Sequence, residues 1–254
     1  MQLHHTALGA GDPLIVLHGL LGSHQNLLPA CRTFAQHFHV FALDQRNHGH
    51  SPHHAEMNYE VMAQDVVEFM DAHQLDSAHV LGHSMGGKTA MQLALHHPNR
   101  VNKLVVVDMS PRAARPRFDK LLQALGELPV EKLKTRQEAD EALAPNVADR
   151  SLRQFLLKNL APNEHGGYRW RNNLTAINAS YHRLREAMDS AIPFTGDALF
   201  LLGGDSDYVG EADKAEIYRL FPSAQFASIA GAGHWVHADK PGEFAEVVLR
   251  FLVT

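Results

Sequence analysis

The chain has a single cysteine, Cys31, among its 254 residues. One thiol excludes an internal disulfide. With no ordered base beside it in sequence, Cys31 is expected to be a small buried hydrophobe rather than a reactive group. Blocks of like charge are missing too. The 23 Lys and Arg residues stand against 28 Asp and Glu, a net charge of −5, which leaves no basic stripe for a phosphate backbone and makes nucleic acid an unexpected partner. No apolar run approaches the roughly 18 residues that a membrane span needs. The first residues, MQLHHTALGAGDPL, lack the basic start and apolar centre of a signal peptide. These absences give the expectation of a cytoplasmic protein without a membrane span.

What is present is the composition of one globular domain, 45% hydrophobic and 20% charged, long enough to bury a substantial core. The unusual abundance is histidine: 19 residues, clustered at His4 and His5, at His96 and His97, and in RNHGHSPHH over 46–54. Neither an HExxH helix nor a cysteine framework accompanies them, so no metal site is expected, and solvated or capping histidines are the simpler reading.

Repeats and low-complexity tracts are absent, whereas strand-like and helix-like segments alternate along the chain. The apolar runs PLIVLHG (13–19), HVFALDQ (39–45), AHVLGHS (78–84), NKLVVVDMS (102–110) and DALFLLGG (197–204) read as buried strands, and QFASIAGAG (225–233) as another. Between them, 58–74 carries Met62, Val66, Phe69 and Met70 at helical spacing, 86–97 stops before Pro98, and 241–253 forms a last helix. The alternation predicts an α/β fold with a mostly parallel central sheet flanked by helices. Residues 111–195 break the rhythm with charge-rich helical segments and the aromatic GGYRWRNNL. One domain is therefore expected, with a core of 1–110 and 196–254 and a helical cap at 111–195. Such a cap would lie over the C-terminal edge of the strands, where open α/β sheets bind ligands.

The chemistry concentrates at strand ends. Gly82-His83-Ser84-Met85-Gly86 fits G-x-S-x-G between a strand and a helix, where glycines permit the sharp turn that exposes a nucleophilic serine. A serine hydroxyl needs a base, and a third group to orient that base. His234, in the Gly-rich loop of GAGHWVHADKP after the final strand, stands where the base falls in the order serine, acid, histidine. His237 is its neighbouring competitor. HGLLG, over 18–22, offers the backbone N–H of Leu20 as one oxyanion donor, and Met85 supplies the second. Met85 and Trp235 are expected near the site by adjacency. Phe118, Phe155, Tyr168 and Trp170 are candidates for an apolar acyl pocket. Asp44 also ends a strand but precedes Ser84, and it reads as a support for the active-site loops, with Arg46 and His48 as loop ties.

HGLLG, DQRNHGHS, GHSMGG and GAGHWVHADKP together resemble the serine esterases of the α/β-hydrolase superfamily, and within it the YbfF-type bacterial esterases and the ABHD11-like hydrolases. The resemblance spans nearly the whole chain and is weakest in the cap. It implies a cofactor-free serine hydrolase of short- to medium-chain acyl esters, a carboxylesterase with a small-molecule substrate. An acyl thioesterase, for example on acyl-CoA, is the alternative on the same triad, and a non-catalytic acyl-ligand binding protein is a third reading. Branches that cleave epoxides or carbon–halogen bonds place Asp where this chain has Ser84. The resemblance leaves two acids open: many α/β-hydrolases imply Asp207, in GGDSD with Asp205 behind it, whereas the YbfF-type subgroup implies Asp108, in VVVDMSP. Ser206 could hydrogen-bond within that cluster.

Overall fold

The computed structural model describes residues 1–254. A seven-stranded sheet runs in the order β1-β3-β2-β4-β5-β8-β9: β1 (His5–Leu8), β2 (Pro13–Leu17), β3 (His39–Leu43), β4 (Ala78–His83), β5 (Val101–Val107), β8 (Asp197–Gly203) and β9 (Ala224–Ile229). All neighbours are parallel except β1, which pairs antiparallel with β3 at the edge. The six strands expected from apolar runs are all present. The edge strand β1 was not anticipated. Only four residues long and none of them fully buried, it carries no apolar run.

Helices cover both faces, which is why the middle strands are apolar on both sides. On one face α2 (Tyr59–Ala72) and α3 (Met85–His96) pack with α8 (Glu211–Leu220) over Ile15, Val80, Leu104 and Phe200. On the other, α1 (Leu28–Phe34) and α10 (Pro241–Leu252) pack over Leu14, Val16, Val105 and Leu201, and Cys31 is buried there. Burial pushes its thiol up to about 12, in keeping with a packing role. The start of α2 is locally specified. Asn58 caps α2 by accepting the Val61 N–H at 2.9 Å, and its Met62, Val66, Phe69 and Met70 are buried, as their spacing predicts.

Between β5 and β8 the chain leaves the sheet and builds α4 (Asp119–Glu127), α5 (Arg136–Leu143), α6 (Arg150–Leu157) and α7 (Leu174–Leu184), with a short antiparallel pair, β6 (Leu160–Pro162) and β7 (Tyr168–Trp170). Helices were expected in this segment; the β6–β7 pair, three residues a side, was not. A third apolar cluster joins Leu122, Leu125, Leu156 and Ile177 of this segment to Leu21, Met57, Met62 and Met85 of the sheet domain. The inserted segment therefore packs over the strand end where β4 meets α3. A short helix, α9 (Val236–Asp239), follows β9 and leads into α10. No helix is long and apolar enough to cross a membrane.

Candidate active site

The turn between β4 and α3 is as tight as its glycines allow. A Cβ on Gly82 would lie 2.1 Å from the Gly86 carbonyl oxygen, and one on Gly86 would lie 2.4 Å from that of Leu17. No other residue fits either position without moving backbone. Between them Ser84 adopts φ 55°, a left-handed conformation unusual outside glycine, and its N–H is tied to the Val107 carbonyl at 3.1 Å. The turn presents its hydroxyl at the C-terminal edge of the sheet.

Two other strand ends deliver partners. His234, in the loop after β9, places Nε2 at 2.9 Å from Ser84 Oγ, and its Nδ1 lies 2.8 Å from Asp108 Oδ2. Asp108 follows β5 directly, also with positive φ, 50°, and is fully buried. Its carboxylate accepts the Nδ1–H of His234, the Ser206 hydroxyl on the same oxygen, and the Gly203 N–H at 3.1 Å on the other. The hydrogen bonds fix the tautomer: Nδ1 carries the proton, leaving Nε2 to accept from Ser84. His83, the variable residue before Ser84, donates from Nε2 to the His234 carbonyl at 2.8 Å and so holds the loop backbone as well.

The other sequence candidates take distinct places. Asp207 is 65% exposed and pairs with Arg117 at 2.8 Å, away from His234 Nδ1. That pairing holds its carboxyl below the usual range. His237 lies in α9, buried, with its ring 4.7 Å from that of His83, and burial pushes it down to about 4. Met85 begins α3, so its N–H is one of the first-turn donors without a helical acceptor, and the Leu20 N–H donates to no group of the chain. Both residues line the same cavity as Ser84.

The loops behind the site are pinned by the segment 44–51. Asp44, fully buried, accepts the His24 N–H and Nδ1–H on one oxygen, and the His50 N–H and His4 Nδ1–H on the other. Burial opposes its ionisation, but these bonds, led by that of the His24 side chain, hold the carboxyl well below the usual range. His4, His24 and Asp44 are the residue types that ligate metals, and their ligand atoms lie within 4.8 Å of one another. With two donors on each carboxylate oxygen, they form a complete hydrogen-bonded tie without an ion. His48 accepts the Leu21 N–H at Nε2 and donates Nδ1–H to the Arg46 carbonyl, while His18 accepts the Gln45 N–H and donates to the Gly19 carbonyl. Arg46 is itself tied to Asp65 at 2.6 Å. The loop that carries Leu20 is thus held by two imidazoles that must be neutral to act as acceptors.

A cavity of about 440 Å³ opens from Ser84 between the sheet domain and the inserted segment, bounded by Tyr59, Met109, Phe118, Tyr181 and Tyr208. A narrower apolar slot on the other side of Ser84 and Leu20 is lined by Leu121, Leu152, Phe155 and Trp235. Phe118 lines both spaces, and Phe155 and Trp235 line the slot. Tyr168 and Trp170 sit in the β6–β7 pair and line neither space. Tyr59, Tyr181 and Tyr208 were not anticipated. Tyr59 reads in sequence as one more position of an amphipathic helix, and Tyr208 follows a loop whose acids drew attention instead.

The arrangement, a serine hydroxyl bonded to an imidazole that is bonded to a buried carboxylate, beside two backbone donors, can activate an oxygen nucleophile and stabilise an oxyanion. Comparison with known proteins agrees with the fold. A family model described as alpha/beta hydrolase fold matches residues 12–241. The chain is 41% identical over 250 residues to the sn-1-specific diacylglycerol lipase ABHD11 of Xenopus tropicalis, covering 95% of this chain and 78% of that protein. It is 36% identical over 242 residues to esterase YbfF of Escherichia coli K12, covering 95% and 93%. A solved structure described as a marine microorganism esterase superposes with a TM-score of 0.96 at 40% identity, covering 98% of this chain and 99% of that one. The chain belongs to the α/β-hydrolase family.

Proposed function

We propose that the protein is a carboxylesterase that hydrolyses short- to medium-chain acyl esters through an acyl-enzyme on Ser84. The observation that carries this reading is the continuous line from Ser84 Oγ to His234 Nε2 at 2.9 Å and from His234 Nδ1 to Asp108 at 2.8 Å, opening on the cavity beside Leu20 and Met85. Ser84 attacks the ester carbonyl as His234 takes its proton. The Leu20 and Met85 N–H groups receive the oxyanion, and each such donor is typically worth roughly 3 to 4 kcal/mol in the transition state. His234 returns the proton to the leaving alcohol, and water then releases the acid by the same route. Asp108 holds the imidazole in its tautomer and balances the imidazolium. The inserted segment, 111–195, acts as a cap, and its Phe118, Tyr181 and Leu184 bound the cavity of about 440 Å³ that receives the acyl chain. The esterase and lipase names of the relatives support the reaction class.

Arg112, Arg115, Arg117 and Arg185 line the larger cavity together with Asp207, Glu211 and Asp213, and the small surplus of positive charge favours a second reading, an acyl thioesterase whose leaving thiol carries negative charge. Hydrolysis of p-nitrophenyl acetate through decanoate, with matched anionic thioesters, tests both. The esterase reading expects kcat/KM highest for butyrate to octanoate and a loss of about 10⁴-fold or more in Ser84→Ala. Thioesters preferred by more than about tenfold would establish the second reading. Ser84→Ala with full turnover would overturn both.

A further inference from the structure

Tyr208 follows the acid-bearing loop after β8, and its ring lies face to face with the imidazole of His234, centroids 3.5 Å apart and planes within 11°. Two neutral aromatic rings avoid so direct an overlap and slide to an offset. A cation over a tyrosine face gains from it. The geometry therefore suits the imidazolium better than the neutral imidazole. We propose that Tyr208 is a positioning residue for His234: its face keeps the imidazole in line with Ser84 and strengthens its hold as the ring takes the serine proton, while Asp207 and Arg117 keep Tyr208 in place. This rests on the reading of Ser84, His234 and Asp108 as the triad.

The constraint is needed because the other contacts leave one freedom. The Nδ1–H bond to Asp108 and the His83 bond to the His234 carbonyl fix the loop and one ring nitrogen. In the resting state Ser84 Oγ, 2.9 Å from Nε2, limits the ring's tilt as well; once Ser84 has attacked the carbonyl, the flat face of Tyr208 holds the ring against swinging about the Asp108 bond. A contact stronger in the charged state than in the neutral one lowers the barrier rather than merely tightening the resting enzyme.

The arrangement behind Tyr208 fits the same role. With one face of the tyrosine covered by the imidazole, the Arg117 guanidinium takes the other, its Cζ 4.4 Å from the ring centroid. A bare cation there would oppose an imidazolium across the ring. Asp207, at 2.8 Å from Arg117, balances it. Burial pushes the Tyr208 phenol up to about 12, so the ring stays neutral at any working pH. Its hydroxyl makes no hydrogen bond within the chain, while its N–H meets Ser206 Oγ, the hydroxyl that also binds Asp108. The remaining titratable groups facing His234 are Asp108, His83 and His237; burial keeps both of these histidines low and neutral.

The test compares wild type with Tyr208→Leu, Tyr208→Phe and Asp207→Asn on p-nitrophenyl butyrate across pH, with thermal melting to establish folding and labelling by a fluorophosphonate to establish that Ser84 is activated. In Tyr208→Leu, kcat should fall about tenfold, equivalent to ~1.4 kcal/mol, with KM within about twofold. The acidic limb of kcat/KM should move to lower pH, because the support for the protonated ring is gone. Tyr208→Phe should keep both properties, since the hydroxyl is unused. Asp207→Asn, at an exposed position that does not endanger folding, should move the limb the same way by a smaller amount. Unchanged kcat and limb in Tyr208→Leu, a change in KM alone, or an unmoved limb in Asp207→Asn would reduce Tyr208 to a wall of the cavity. Wild type that takes no label would instead overturn the triad reading beneath the proposal.

Discussion

Ser84 and Asp108 carry positive φ on side chains that ordinarily avoid it, which costs about 1 to 3 kcal/mol apiece. The strain is held by hydrogen bonds to neighbouring strands, Ser84 N–H to Val107 and Asp108 N–H to Leu201. Strained residues at adjacent strand ends bring hydroxyl, imidazole and carboxylate together. Asp108→Asn should keep this geometry but let the imidazole adopt the wrong tautomer, with kcat on p-nitrophenyl butyrate falling about 10³- to 10⁴-fold. Asp207→Asn should stay within about tenfold of wild type. The reverse order would make Asp207 the triad acid. Ser84 and His234 stand out in sequence as candidates because each sits in a local pattern at a strand end and chain order restricts their roles, whereas Asp108 entered through the resemblance to the YbfF-type subgroup. Sequence alone left Asp108 and Asp207 side by side, since choosing between them requires the carboxylate's direction. Tyr208 was not legible. Its contact with His234 spans 26 positions and depends on two loops meeting, and no spacing records that.

At the scale of elements, the fully buried Lys88 joins α3 to both stems of the inserted segment. Its ammonium donates to the Arg112 carbonyl at 3.0 Å on the way in and to the Glu186 carbonyl at 2.6 Å on the way out, with the Tyr59 ring beside it. The stems also bond to each other, Ala114 N–H to Arg185 and Met188 N–H to Pro111. Burial pushes Lys88 down to about 8, against the raising influence of Glu186. The unfolded lysine titrates near 10.4. Between about pH 8 and 10.4 the native state therefore binds fewer protons than the unfolded one, so the Lys88 contribution makes stability rise with pH across that window. Lys88→Met should abolish that slope and speed hydrogen exchange in 111–118 and 185–188 while leaving β4 and β5 protected. Unchanged exchange in the stems would show that their own ladder suffices. The strands were legible as continuous apolar runs. The β6–β7 pair was not, because three residues a side carry no periodicity and its stability comes from packing.

For the whole molecule, three apolar clusters divide the labour: two sandwich the sheet, and the third seats the inserted segment over the strand ends. Seven of the 19 histidines are buried, and among them His18, His48 and His83 act as neutral ties. Burial pushes His48 down to about 3 and His237 to about 4, and it lowers His18 and His83 as well. Unfolded histidine takes up its proton near pH 6.5. The unfolded state then binds more protons as pH falls from 6.5 towards 4, and stability is lost in that interval. By pH 5.5, His48 and His237 cost roughly 1 kcal/mol each. Urea unfolding midpoints should drop clearly between pH 7.5 and 5.5; a flat profile would contradict neutral burial. The parallel sheet was legible from alternation alone, whereas the buried His18, His48 and His83 were not, since nothing in sequence separates them from the solvated histidines around them. The central claim, an activated serine at a strand-to-helix turn, is tested most directly by incubating the protein with a fluorophosphonate and reading its intact mass. The account predicts a single adduct that disappears in Ser84→Ala. Folded wild-type protein without an adduct, or an adduct that persists in Ser84→Ala, would contradict it.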